Sequence, residues 1–528
     1  MKLITLMIIV LACTNLSAQP PGYWQQHLSY NMKAELNDEN NSIKGFETIV
    51  YKNNSPSTLN FIWFHIWPNA YKNKTTALFQ QIAHDEKRAK KMDDAGFGSI
   101  SGLSFKINNE AAQTQPHPNP QYIDIIKLVL NKPLLPGDSI TISTPFNVIL
   151  PPYFSRSGYE DGEFMACQWY PKPAVFDRSG WHEFPYLDMG EFYSEYADYD
   201  VSLTLPSAYV VGATGVLRTK DELDQYKKTG AENVSDRKGK PAMYKPSKTE
   251  EKKTLQYHAE MVPDFAWFAD KNFAVQYDTV HLPGGSVIDA FTYFHNKSNT
   301  LWKNSIDYLK DGVRTYSSWL GEYAYPVVQA VEGPKNNSSG GMEYPMVTLI
   351  TSPDAKPASL DAVIAHEVGH NWFMAMLGSN ERAHTWMDEG LNTYFQFRYE
   401  AQKYRTNSVF GDAIPKEIQK LSAEDFQASI YNAIMESVPM ESEMEMSAEK
   451  FPNSDEYGLI SYVKTACWMY LLEGSTSWEK TDAAFHTYFN EWKFKHPQPE
   501  DLQASFEESF GGKMDKFFGL INKKGKFQ

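Results

Sequence analysis

The stretch from Ile364 to Tyr394 constrains this chain more tightly than any other. It reads I-A-H-E-V-G-H-N-W, then T-W-M-D-E-G-L-N-T-Y. His366 and His370 stand four apart, behind an apolar run (Ala362, Val363, Ile364, Ala365) that predicts a buried helix. Four residues is about one helical turn, so both imidazoles leave the same face and can grip one ion. Glu367, beside the first His, can reach a water on that ion without ligating the metal. Glu389 follows His370 by nineteen residues, at the predicted opening of a second helix, and can supply a third, anionic ligand. Two His and one Glu leave a fourth tetrahedral position open, which a catalytic zinc needs and a structural zinc lacks. A core helix with two satisfied histidines would explain the first half of this pattern. It leaves Glu389 in W-M-D-E-G, and an upstream G-G-M-E-Y segment, without a reason.

The chain has 528 residues, which predicts two or three domains, each able to bury a core. With 50 Lys+Arg against 65 Asp+Glu, its net charge of −15 repels phosphate backbones and argues against nucleic-acid binding. Residues 1–18 read as an export signal: Lys2, an apolar run from Leu3 to Ala12, then Leu16-Ser17-Ala18 before Gln19. That run is too short to span a bilayer, and no later run predicts a transmembrane segment. The expected destination is the periplasm or the medium. Val10-Leu11-Ala12-Cys13 weakly resembles a lipoprotein cleavage site, so lipid anchoring at Cys13 is the alternative. Cys167 and Cys467 read as buried free thiols, with a disulfide between them the competing possibility.

Short β-branched and aromatic runs dominate the first half: Glu47 to Tyr51, Leu59 to Ile66, Ile123 to Leu130, Ser139 to Ile149 and Tyr199 to Leu205. They predict a β-sandwich-like domain. Asp85 to Asp94 and Arg218 to Lys253 carry dense mixed charge and read as solvated loops or insertions. Helical patterns follow at Ser298 to Gly321, Leu360 to Leu377, Glu389 to Tyr404, Tyr457 to Leu472 and Trp478 to Lys495. Val327 to Val331 and Met346 to Ile350 read as strands between the first two.

His366-Glu367-Val368-Gly369-His370, followed at this spacing by Trp386-Met387-Asp388-Glu389-Gly390, resembles the M1 family of zinc aminopeptidases. Gly340-Gly341-Met342-Glu343-Tyr344 is similar to that family's G-x-M-E-N signature, with Tyr344 in place of Asn. The resemblance runs from about Tyr30 to about Gly512. It implies an α+β, multidomain protein: an N-terminal β-sandwich-like domain, then a mostly helical, thermolysin-like catalytic domain with a small sheet. Val262-Pro263-Asp264-Phe265 resembles the end of the family's first domain, giving expected bounds of 19–278 and 279–528 after the signal at 1–18. The chain ends at Gln528, so the large C-terminal helical domain of many members is not expected within it, as in a bacterial secreted type.

The resemblance implies a role for each candidate residue. His366, His370 and Glu389 would hold one zinc ion per chain, with Glu367 as general base. Tyr462, in Ile460-Ser461-Tyr462-Val463-Lys464-Thr465, stands where members carry the tyrosine that donates to the oxyanion, though Thr465 replaces their usual Gly. Tyr457 reads as a packing aromatic, with a second active-site phenol the alternative. Glu343 would bind the substrate's free N-terminal amine, and Gly340, Gly341 and Met342 would lie along the peptide. Gln168, in F-M-A-C-Q-W-Y-P, would help hold that amine; a Gln in a buried turn explains it as well. His384 reads as a surface or supporting His, and the acidic, Met-rich run from Glu436 to Glu449 as a solvated loop. The expected activity is release of N-terminal residues from peptides with a free N-terminus. Its rivals are an endopeptidase sharing the H-E-x-x-H helix, a non-catalytic M1-like scaffold that binds proteins, and hydrolysis of a non-peptide such as an epoxide.

Overall fold

Strict alternation builds the first sheet. In His27–Asn37 the side chains of Leu28, Tyr30, Met32, Ala34 and Leu36 are buried and their neighbours face outward. The chain turns through Asn41, whose left-handed φ of 54° suits an Asn, and returns as Ser42–Lys52 with Leu36 opposite Ile43. The computed structural model describes residues 22–84, 96–245, 251–336, 340–351 and 356–527. The expected export signal, Cys13 and the charged run from Asp85 to Asp94 lie outside the described residues.

These strands join Ala197–Pro206, Ser139–Ile149 and Lys252–Val262 in a nine-stranded sheet. His27–Asn37 and Ala197–Pro206 pair in parallel, so the sheet closes over a long stretch of chain. Two four-stranded sheets complete the β-rich half, one holding Leu59–His65 and Ile125–Leu134, the other Glu163–Ala166 and Trp267–Asp270. The change of architecture falls at Lys271 and Asn272, because Phe273–His281 already belongs to the five-stranded sheet of the second half. Residue 278 lies inside that strand. The α+β arrangement, β-rich first and helical second, is the one expected. Among the described residues, no helix is long and apolar enough to cross a membrane. Cys167 and Cys467 are free and buried.

The segment from Arg218 to Lys253 is not simply a solvated loop. Lys220–Ser235 is a helix that buries Glu222, Tyr226, Gly230 and Asn233 against Phe273–His281. Its few apolar residues hide this face: a Cβ at Gly230 would lie 2.6 Å from Tyr277, and Asn233 Nδ2 donates to the Val275 carbonyl. The contact is made by a glycine and polar side chains, which hydrophobic periodicity does not register.

One core position works against stability. Glu47 is fully buried near Tyr30 and Tyr199, and neither carboxyl oxygen has a hydrogen-bond partner among the described residues. Burial raises its pKa well above the usual carboxylate range. The folded state therefore binds this proton more tightly than the unfolded state, and stability falls as pH rises above the unfolded value. Glu47→Met is expected to stabilise the fold by about 1–3 kcal/mol at pH 8 and by much less near pH 4. Denaturant melts of both proteins at the two pH values check this.

The five-stranded sheet runs in the order Phe273–His281, Val287–His295, Val327–Glu332, Val347–Ile350, Gly341–Met342. The short terminal strand pairs antiparallel with Val347–Ile350, placing Gly341 opposite Ile350 and Met342 opposite Leu349. It lies beside the helix Pro357–Gly369. That neighbourhood forms the site.

Candidate active site

Pro357 opens the helix at a position that lacks an intrahelical N–H bond anyway, and the helix runs to Gly369. The apolar pattern predicted a continuation to Leu377, but Asn371 stops it. Its Nδ2 donates to the Val368 carbonyl at 3.0 Å, while its Oδ1 accepts from Met346 N–H at 2.9 Å. His370 is thus the first residue past the helix, still in right-handed helical geometry, with its N–H on the His366 carbonyl. Both imidazoles keep one face. Gly369 makes room for the crossing helix, since a Cβ there would lie 2.0 Å from Asn392 Oδ1 and 2.4 Å from the Tyr316 ring. Asn392 Nδ2 donates to the His366 carbonyl at 2.7 Å, locking the two helices at the level of the histidines.

Glu389 sits in a wide π-type turn, Trp386–Gly390, that flows into the helix Leu391–Lys403. Tyr462 sits in a second such turn, Leu459–Lys464, between Ser454–Gly458 and Thr465–Ser475. Turns of this kind recur at functional sites because the extra residue re-aims side chains. The two turns touch at Gly390, where a Cβ would lie 2.3 Å from Thr465 Cβ and 2.4 Å from the Ser461 carbonyl oxygen. Thr465, the departure from the family's glycine, thus packs against a glycine on the facing turn.

The three expected ligands converge. His366 Nε2 lies 3.3 Å from Glu389 Oε2 and 3.2 Å from His370 Nε2, and His370 Nε2 lies 3.2 Å from Glu389 Oε2. Ligands about 2.0–2.2 Å from a tetrahedral zinc are separated by roughly 3.3–3.6 Å, so this donor set fits such an ion. Asp388 Oδ1 is 2.7 Å from His370 Nδ1 and orients that ring, as a carboxylate behind a ligand His commonly does. The Tyr462 hydroxyl donates to Glu389 Oε1 at 2.5 Å. Glu367 is buried, and its Oε2 has no partner among the described residues. Gly341 accommodates it: a Cβ there would lie 2.4 Å from Glu367 Oε1.

These groups border a cavity of about 480 Å³, together with Gly340, Met342, Glu343, Glu191, Arg156 and Tyr457. Its electrostatics favour cations. Glu343, Glu367 and His370 each bring one atom within 4.8 Å of the others, as do Glu191, Glu343 and Glu389. Burial raises Glu343 and Glu367, His370 opposes the rise, and neighbouring carboxylates reinforce it. Burial also works to raise Glu389, but His370 and His366 outweigh it and hold that carboxyl ionised. His370 itself is raised: burial opposes its charge, and Asp388, Glu389 and Glu343 more than offset it. Arg156 pairs with Glu191, at 2.7 Å and 2.8 Å.

Gln168 is placed elsewhere. It lines a small adjoining cavity behind Glu343, with Asp264, Tyr344 and Glu381, rather than the larger one. Its amide donates to Asp264 and accepts from the Tyr344 hydroxyl, so Tyr344 and Gln168 brace each other. His384 pairs with Glu445 at 2.7 Å, and Glu445 also accepts from Trp386 Nε1. The acidic run thus supports the Trp386 turn, and none of its residues lines the cavity. Tyr457, expected as a packing aromatic, does line it. Glu191, Arg156 and Asp388 were not singled out in the sequence. Asp388 is adjacent to a ligand and could have been; Glu191 stands in M-G-E-F, which carries no such signal.

Two histidines at the end of one helix, a third donor, Glu389, from the turn before the next, and the unpartnered Glu367 oxygen beside them form a donor set that can hold one zinc ion and leave a position open. Residues 314–520 match the model of the peptidase family M1 domain. Leucine aminopeptidase 2 of Emericella nidulans is 27% identical over 210 residues, which are 38% of this chain and 31% of that protein. A leukotriene A-4 hydrolase homolog of Botryotinia fuckeliana is 26% identical over 208 residues, 38% of this chain and 30% of the relative. The match thus spans about a third of these curated relatives. An M1 zinc metallopeptidase from Deinococcus radiodurans superposes with a TM-score of 0.62 at 13% identity, covering 95% of this chain and 94% of that one. Aminopeptidase A of Legionella pneumophila gives 0.63 at 14% identity, over 97% of this chain and 50% of its own. At these identities the likeness is one of fold.

Proposed function

We propose that this protein is a zinc-dependent aminopeptidase that releases N-terminal residues from peptides. One observation carries the reading: three donors 3.2–3.3 Å apart share a cavity with an unpartnered buried carboxylate, a tyrosine hydroxyl and a second buried carboxylate, Glu343. His366, His370 and Glu389 would hold one zinc ion, whose contribution is to acidify a water and polarise the scissile carbonyl. Glu367 takes the proton from the attacking water and delivers it to the departing amine. The Tyr462 hydroxyl, near the ligands, donates to the oxyanion that develops on the former carbonyl. Glu343, in a strongly anionic pocket, holds the substrate's ammonium group and so registers the bond to be cut. Among the neighbours in fold, the Deinococcus enzyme has been determined bound to a Tyr-Ser-Ala substrate, which supports a peptide as substrate here. The proposal includes export directed by residues 1–18.

Metal removal tests the reading. Dialysis against a chelator is expected to abolish hydrolysis of amino-acid anilides, and returning zinc to restore it. Full activity in protein shown to be free of metal contradicts the proposal.

A further inference from the structure

A second set of metal-ligating side chains lies away from the active site, where the two halves of the fold meet. Glu163 opens the strand Glu163–Ala166, and Asp270 closes its antiparallel partner, Trp267–Asp270. His295 ends Val287–His295 in the five-stranded sheet, and Glu332 ends the neighbouring Val327–Glu332. The strand ends of two different sheets thus converge at one point. His295 Nε2 lies 3.5 Å from Glu163 Oε2 and 3.5 Å from Asp270 Oδ2, and one atom from each of the three residues falls within 4.8 Å of the others. Glu332 Oε2 lies 3.6 Å from the other ring nitrogen, Nδ1.

Two features distinguish this cluster from an ordinary acidic patch. Its histidine-to-carboxylate spacing is close to that of His366, His370 and Glu389, and falls in the roughly 3.3–3.6 Å expected between ligands of one tetrahedral zinc. Glu332 stands behind His295 as well: its Oε2 accepts from the His295 backbone N–H at 2.8 Å and lies 3.6 Å from Nδ1, a looser approach than that of Asp388 to His370. The second feature is independent of this spacing. The Glu163 side chain is 6% exposed, it borders a separate cavity of about 410 Å³ with Asp270, His295 and Glu332, and its Oε1 has no hydrogen-bond partner among the described residues. A buried carboxylate oxygen without a donor is costly, and a cation beside it removes the cost.

We propose that Glu163, Asp270 and His295 form a second divalent-cation site, of zinc type, that ties the β-rich half to the catalytic half. Glu332 is the positioning residue, through its bond to the His295 backbone N–H. The electrostatics agree with a missing positive charge: burial works to lower His295, yet Asp270, Glu332 and Glu163 together push it up to about 10. Burial raises Glu163; His295 opposes the rise, and Asp270 and Glu332 reinforce it.

Metal counting on the full chain tests this. The protein is loaded with zinc, passed through gel filtration and analysed by mass spectrometry. Wild type is expected to retain two equivalents, Glu163→Gln and His295→Ala one each, and the double variant His366→Ala/His370→Ala one. Glu163→Gln keeps the side chain's shape, and an unchanged circular dichroism spectrum and elution volume show that the variant has folded. A second readout uses the His366→Ala/His370→Ala protein, whose melting temperature is expected to rise by several degrees on adding zinc. One equivalent in wild type overturns the proposal, as does a second equivalent that survives both Glu163→Gln and His295→Ala. An unmoved melting temperature also counts against it. The counts assume a zinc at His366, His370 and Glu389, as the proposed function does; the melting-temperature arm uses a protein without those histidines and stands apart from that reading.

Discussion

Glu367→Gln is expected to lower kcat on amino-acid anilides by about 10²–10⁴-fold while leaving zinc bound, the range typical of a lost general acid–base group. The substitution is nearly isosteric, and Glu367 is not among the three converging donors. It sits in a slot left open by Gly341, where Oε1 would meet any Cβ, and its Oε2 is unpartnered among the described residues. An amide fills that slot without displacing His366 or His370. What it cannot do is accept and return a proton. The check is kcat together with metal content on the same preparation. Unchanged metal with little loss of rate would remove Glu367 from the mechanism; lost metal would show that it holds the ligands in place.

Glu343→Ala is expected to reduce kcat/KM for substrates with a free amine by about 10²–10³-fold, because it removes the buried partner of a desolvated ammonium. Glu343 is 6% exposed and clusters with Glu191, Glu389, Glu381 and Asp388. Glu191 is already matched by Arg156, so Glu343 is the carboxylate better able to answer a substrate's charge. Substrates whose amine is acetylated offer nothing to lose and should be affected little. Steady-state kinetics on matched free and blocked anilides separate this from general damage, which would lower both.

The parts of the site set by local chemistry were legible in the sequence. Four-residue spacing brings His366 and His370 together whatever surrounds them, and Glu389 follows from the same pattern one helix later. Gly341 and Glu343 were legible as a motif, but the clearance that Gly341 gives Glu367 depends on a strand and a helix meeting in space. The turns holding Glu389 and Tyr462 were not legible, because one extra residue per turn does not disturb an apolar pattern. The helix end at Gly369 was missed for a related reason: Asn371 caps it with a side chain, inside a run apolar enough to continue. Glu191 and Arg156 come from an irregular segment whose course is fixed by its contacts rather than by its own periodicity. The helix Lys220–Ser235 packs through Gly230 and Asn233, and so read as solvent-exposed. The outline of the fold needed less: inward and outward alternation in His27–Asn37 and Ser42–Lys52 places both strands on one sheet.

The most direct test of the central claim is the rate of hydrolysis by wild-type enzyme of a peptide anilide offered with a free N-terminus and again N-acetylated. An aminopeptidase that registers its substrate through Glu343 cleaves the free form stepwise from its N-terminus and leaves the acetylated form intact. Internal cleavage of the acetylated form at a comparable rate would contradict the account and make the protein an endopeptidase.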